Sequence, residues 1–209
     1  MTVFQKMKDG DYMPRETVRN RILQVASDLF YKEGIRAVGI DRIILESGVA
    51  KASFYRNFGS KDELVAVYLE YHQDLNAKDL EDVQLQFPDS SAMQIHALID
   101  KFVEKMRIPG YRGCPFINTA VEFPESSHQN HINAVKGTEE NWKAIEKLAE
   151  KAGATRPFEL AELLRILCNG AVMLSYLKQS DFNSDNFSRS AHMLVDSHLF
   201  GWAATRKVD

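Results

Sequence analysis

Residues 48–64 read GVAKASFYRNFGSKDEL. Long polar side chains crowd there among very small residues: Lys51, Ser53, Tyr55, Arg56, Asn57 and Lys61. Lysine, arginine and hydroxyl groups donate to phosphate oxygens. Arginine and asparagine also reach base edges in a major groove. If 51–58 is one helix, Phe54 and Phe58 are four apart and share a face. They can pack inward and leave the polar set outside. Ala52 is small enough to let that surface approach a partner closely. Lys61 would stand at the start of the next helix, where unsatisfied backbone N–H groups also favour an anion. The pattern suits a surface that meets nucleic acid. A plain solvated helix is the other reading of the same residues.

The elements that must hold this segment can be traced by period. Ile22, Val25, Ala26, Leu29 and Phe30 recur at spacings of three and four, which predicts a helix from residue 16 closed by Gly34 at a left-handed cap. Ile40, Ile43 and Ile44 predict a short helix over 40–47, broken by Gly48. Two short helices joined by a brief glycine-containing turn are the signal of a helix-turn-helix. Ser60 and Glu63 have the spacing of a capping box. They open a helix to residue 86, with Leu64, Val67, Tyr68, Tyr71 and Leu75 on one side and Pro88 beyond its end. Further helices are expected over 90–106, 116–123, 129–152, 158–180 and 186–204. No stretch alternates for long with the period of a strand, so the fold class is all-α. Residues 1–14 show no period, carry Lys6 and Lys8, and read as a loose arm.

The chain has 209 residues, 44 % hydrophobic and 26 % charged, which fits one large or two small globular domains. No apolar run approaches the roughly 20 residues of a membrane span, and the first residues contain no signal-like stretch. Cys114 and Cys168 form no CxxC, which fits a reducing compartment. The expectation is a cytoplasmic protein with no membrane partner. The net charge of −3 is uneven: residues 1–62 hold 11 Lys+Arg against 8 Asp+Glu, and the rest hold 15 against 21. A basic front and an acidic rear suggest two tasks. There is no GxSxG, Walker loop, GxGxxG or HExxH, so neither an enzyme nor a cofactor is expected.

The run ILQVASDLFYKEGIRAVGIDRII followed by ESGVAKASFYRNFGSKDEL resembles the DNA-binding domain of the TetR family of bacterial repressors. The resemblance implies a flexible arm (1–14), a helix-turn-helix domain (15–62), and a helical ligand-binding and dimerisation domain (63–209). It places Lys51, Ser53, Tyr55, Arg56 and Asn57 on the recognition helix, with Tyr55 and Lys61 at phosphate-contacting positions. Arg42, outward on the second helix, would add a phosphate contact. Val38 and Gly39 stand where hydroxyl residues are frequent, and Ala50 stands where a capping serine is frequent; such a cap is worth about 1 kcal/mol. The implied partners are double-stranded operator DNA, a small-molecule effector and a second copy of the chain.

Two apolar stripes offer a dimer interface: Leu160, Leu164, Leu167, Ala171 and Leu174, then Phe187, Ala191, Leu194, Val195, Leu199 and Trp202. Plain monomer core is the alternative for both. Phe102, Met106, Phe116, Phe123, Trp142, Met173 and Tyr176, with Asn118 as a polar tip, are candidates for an effector pocket or for core. Cys114 sits between Gly113 and Pro115 beside Arg112, which would favour a thiolate. A thiol-based redox or electrophile sensor, or an all-α enzyme, is therefore the alternative function. His128 and His131 are three apart and read as surface histidines rather than metal ligands.

Overall fold

The structure, a computed structural model, describes residues 17–178 and 181–200. Its helices are α1 (Val18–Glu33), α2 (Ile40–Ser47), α3 (Lys51–Asn57), α4 (Lys61–Gln86), α5 (Ser91–Met106), α6 (Pro115–Glu122), α7 (Gln129–Lys151), α8 (Pro157–Lys178) and α9 (Asp185–Phe200). The fold is all-helical, with each helix where the apolar period puts it. The arm (1–14) and Trp202 lie outside the described residues.

Caps explain several boundaries. Thr17 accepts from the Asn20 N–H at 3.1 Å and Ser90 from the Met93 N–H at 3.3 Å, so α1 and α5 start there. Ser60 accepts from the Glu63 N–H at 3.0 Å, but Glu63 reaches back to the N–H of Gly59, one residue earlier than a reciprocal box requires. Gly34 closes α1 with φ 94° and ψ 150°, a positive φ outside the left-handed helical region that was expected. A Cβ there would lie 3.2 Å from the Glu122 carboxylate.

The chain forms two compact units. The first contains the described residues up to 73 together with 114–137. Its core joins Ile22, Leu29 and Phe30 of α1, Ile43 of α2, Phe54, Phe58, and Leu64 and Tyr68 of α4 with Phe116, Phe123 and Ala134. The rings of Phe30 and Tyr68 meet edge-on at 5.6 Å. The units do not follow the sequence-based division at 62/63. The reason is that 114–137 supplies side chains to the head's core, which local periodicity does not reveal.

The second unit contains 74–113 and the described residues from 138 onward. Ile95, Ile99 and Val103 of α5 pack with Leu148 of α7, Leu160 and Leu164 of α8, and Phe187, Ala191 and Val195 of α9. Between α5 and α9 the Nδ1 atoms of His96 and His192 are 2.6 Å apart. His96 Nε2 faces Asp196 at 3.2 Å and His192 Nε2 faces Asp100 at 3.0 Å.

Most residues of the expected dimer stripes lie inside the protomer. Leu160, Leu164, Ala171, Phe187, Ala191 and Val195 are buried inside the protomer. Leu167, Leu194 and Leu199 pack partly against the same core. Only Leu174 of the described set is exposed, and its apolar neighbours on the surface are Ile166, Met173 and Leu177. Both helices are apolar on more than one side, so a stripe at spacing three and four marks the core rather than the surface. Helix α8 is also long and apolar enough, by length and composition, to cross a bilayer, contrary to the expectation that no run approaches that length. Glu159, Glu162 and Arg165 stand in its first half and Lys178 ends it, and its inward side is packed in the second core.

Candidate nucleic-acid interface

Helix α3 has seven residues, too few to stand alone in water. Phe54 and Phe58, both 0 % exposed, root it in the core. Their burial leaves Lys51, Ala52, Tyr55 and Arg56 exposed and Ser53 and Asn57 half-buried. The turn from α2 is Gly48-Val49-Ala50, with Gly48 in the left-handed region at φ 64° and ψ 24°. This is a helix-turn-helix, with α3 as its outward second helix. Neither Gly39 nor Ala50 makes a side-chain cap hydrogen bond.

The polar residues of α3 are already in local contacts. Lys51 Nζ donates to Asp41 at 3.1 Å, and this carboxylate holds the lysine pKa above its ordinary value. Arg56 donates to the Ser53 hydroxyl at 2.8 Å. Asn57 turns its amide back to the Ser53 carbonyl at 2.7 Å, closing its own helix. Tyr55 is 47 % exposed and packs edge-on against Phe54. Lys61 is half-buried; desolvation lowers its pKa, opposed by Glu122 and Asp62. Arg42 is exposed as expected, but its guanidinium is bound by Glu33 and Glu46.

Two supports were not visible in the sequence. Arg19 of α1 lies over the Phe58 ring, 4.2 Å from its centroid, and donates to the Asn57 carbonyl at the end of α3. Glu122 of α6 accepts from the Ile35 and Arg36 N–H groups at 2.9 and 2.7 Å. The partners are 38 and 87 residues apart, so no local signal marks them.

The proposed pocket residues divide between the units. Phe116 and Phe123 are core of the first, and Cys114 packs partly against them. Asn118 is half-buried on α6. Met106 belongs to the core of the second, and Phe102 and Trp142 pack against it, whereas Met173 is exposed. Tyr176 donates to the Arg112 carbonyl. The nitrogens of His128 and His131 face separate backbone groups, the Asn130 N–H and the Phe123 carbonyl.

A helix-turn-helix of this form, in a chain whose remainder is helical, defines a DNA-binding transcriptional regulator. A model of bacterial regulatory proteins of the tetR family matches residues 22–68. A tetracycline-repressor-like C-terminal domain matches 92–191. The uncharacterized HTH-type transcriptional regulator YxaF of Bacillus subtilis is 30 % identical over 166 residues, which cover 75 % of this chain and 84 % of that protein. The transcriptional activator FasR of Mycolicibacterium smegmatis is 38 % identical over 65 residues, spanning 31 % of this chain and only 30 % of FasR. The crystal structure of SCO4454, a TetR-family regulator from Streptomyces coelicolor, superposes with a TM-score of 0.82 at 27 % identity, covering 95 % of this chain and all of that one. The chain belongs to the TetR family, whose members are transcription regulators and not enzymes.

Proposed function

We propose that the protein is a repressor that binds a palindromic operator as a homodimer and is released by a small-molecule effector. The observation that carries the DNA-binding part is the split of α3: Phe54 and Phe58 fully buried, Lys51, Tyr55 and Arg56 outside. One such helix reads few base pairs; two, set about 34–36 Å apart, read two half-sites. The exposed apolar residues Ile166, Met173, Leu174 and Leu177 support a partner on α8. A second copy fits them because a symmetric operator needs a symmetric reader. The effector reading rests on the aromatic residues of the second unit, Phe102, Trp142 and Tyr176, and on family membership. Coupling of about 1–3 kcal/mol between effector and operator is enough for release. Such a regulator works on the chromosome, hence in the cytoplasm.

Selection of bound sequences from a random double-stranded pool, followed by fluorescence anisotropy at several salt concentrations, tests this. A palindromic consensus bound in a salt-dependent way is the expected result. Binding without sequence preference, or a monomer by sedimentation, overturns it. Transcription from a promoter carrying the selected site separates a repressor from an activator.

A further inference from the structure

Helix α2 is weakly anchored for an element on which a recognition helix depends. It has eight residues, an N-terminus at Gly39 without a side-chain cap, and only Ile43 and Ser47 fully buried. Its exposed side compensates through ions. Arg42 Nε donates to Glu46 Oε1 at 2.8 Å within α2. Its two terminal nitrogens grip both oxygens of Glu33, the last residue of α1, with Nη2 to Oε1 at 2.8 Å. One helix later, Lys51 at the start of α3 reaches Asp41 in the first turn of α2. Ion pairs thus link α1 to α2 and α2 to α3 in series.

An isolated exposed ion pair contributes little, but a bidentate arginine fork within a network is the exception. Arg42 brings one positive charge against two carboxylates, so the trio is net negative. That is a poor phosphate anchor. The hydrogen bonds Arg42 donates to Glu33, then to Glu46, raise the arginine pKa, and Arg42 lowers that of Glu33.

We propose that Arg42 is a positioning residue and not a phosphate ligand: with Glu33 it fixes α2 on α1 and so sets the angle at which α3 is presented to DNA. The proposal rests on the DNA-binding reading above. Its mechanical part, however, exists in the free protein. The competing role, a phosphate ligand merely masked by Glu33, predicts the opposite sign when Glu33 is neutralised.

The experiment uses the full chain and its selected operator. Arg42→Lys keeps the charge but cannot form the fork. Glu33→Gln keeps the shape but loses the ion pair. If the pair positions α2, both variants weaken operator binding about two- to fivefold, the range of one exposed pair. Affinities are compared after extrapolation to 1 M salt, where screening to about 3 Å removes the general effect of a lost charge. Both also speed amide exchange in α2 of the free protein by about the same factor. Arg42→Gln should leave the salt slope unchanged. Tighter binding by Glu33→Gln, or a slope shallower by about 0.9 in Arg42→Gln, identifies a phosphate ligand and overturns the proposal. Unchanged amide exchange in both variants overturns it without reference to DNA. Absence of operator binding by the unsubstituted protein is a separate failure, of the functional reading.

Discussion

Gly113 offers a quantitative test of the packing in the second unit. It is buried, has φ +68°, and a Cβ built on it would lie 2.6 Å from both the Tyr176 hydroxyl and a Val172 methyl. Gly113→Ala therefore meets two costs. An L-residue in the left-handed region loses about 1–2 kcal/mol, partly offset by about 0.4–1 kcal/mol from a stiffer unfolded chain. Overpacking adds about 1–3 kcal/mol, because Tyr176 is held by its hydrogen bond to Arg112 and cannot withdraw without losing it. The expected total is about 1–5 kcal/mol. Gly153 isolates the first cost: its φ is +80° and nothing lies within 4 Å of its Cβ. Urea unfolding followed by circular dichroism, at one fixed protein concentration, should show Gly153→Ala weakened by no more than about 1.6 kcal/mol. Gly113→Ala should fall at least about 1 kcal/mol further. Equal losses in the two variants would refute the claim that side chains crowd Gly113.

Tyr55→Ala should reduce affinity similarly for operator and random DNA while leaving the salt slope unchanged, since tyrosine is uncharged; anisotropy titrations over a salt series read both. Leu177→Asp, at a position 74 % exposed, should leave helicity intact but shift sedimentation toward monomer and weaken operator binding. His96 gives a pH test. Burial, aided by His192 and opposed by Asp196 and Asp100, holds its pKa below the ordinary value of 6.5. The folded state thus takes up this proton less readily than the unfolded one, so the contribution is present above pH 6.5 and is lost as pH falls below it. Thermal melts should drop on acidification below that value, and His96→Gln should flatten the drop; an equal drop in both would remove His96 as its source.

Helix positions were legible because they depend on local period and on punctuation: Ser60 at a start, Gly34 and Gly48 at ends. The inward turn of Phe54 and Phe58 was legible for the same reason, since spacing four on so short a helix leaves one choice. The state of the polar residues was not. Arg42 is nine residues from Glu33 and Lys51 ten from Asp41, so their pairing depends on how three helices dock. Reading Arg42 as outward was right about exposure and silent about its carboxylates. The stripes on α8 and α9 were seen, but hydrophobicity alone does not distinguish a protomer's own core from a surface kept for a partner.

The clasp of Glu122 on the turn after α1, with Phe116 and Phe123 set in the same core, has a consequence for engineering. The reading head is not a cassette. A gene truncated after codon 73 would encode the whole helix-turn-helix and still leave an open wound of apolar surface where 114–137 should lie. Chimeras that graft this specificity onto another effector body must carry that second piece across with the first.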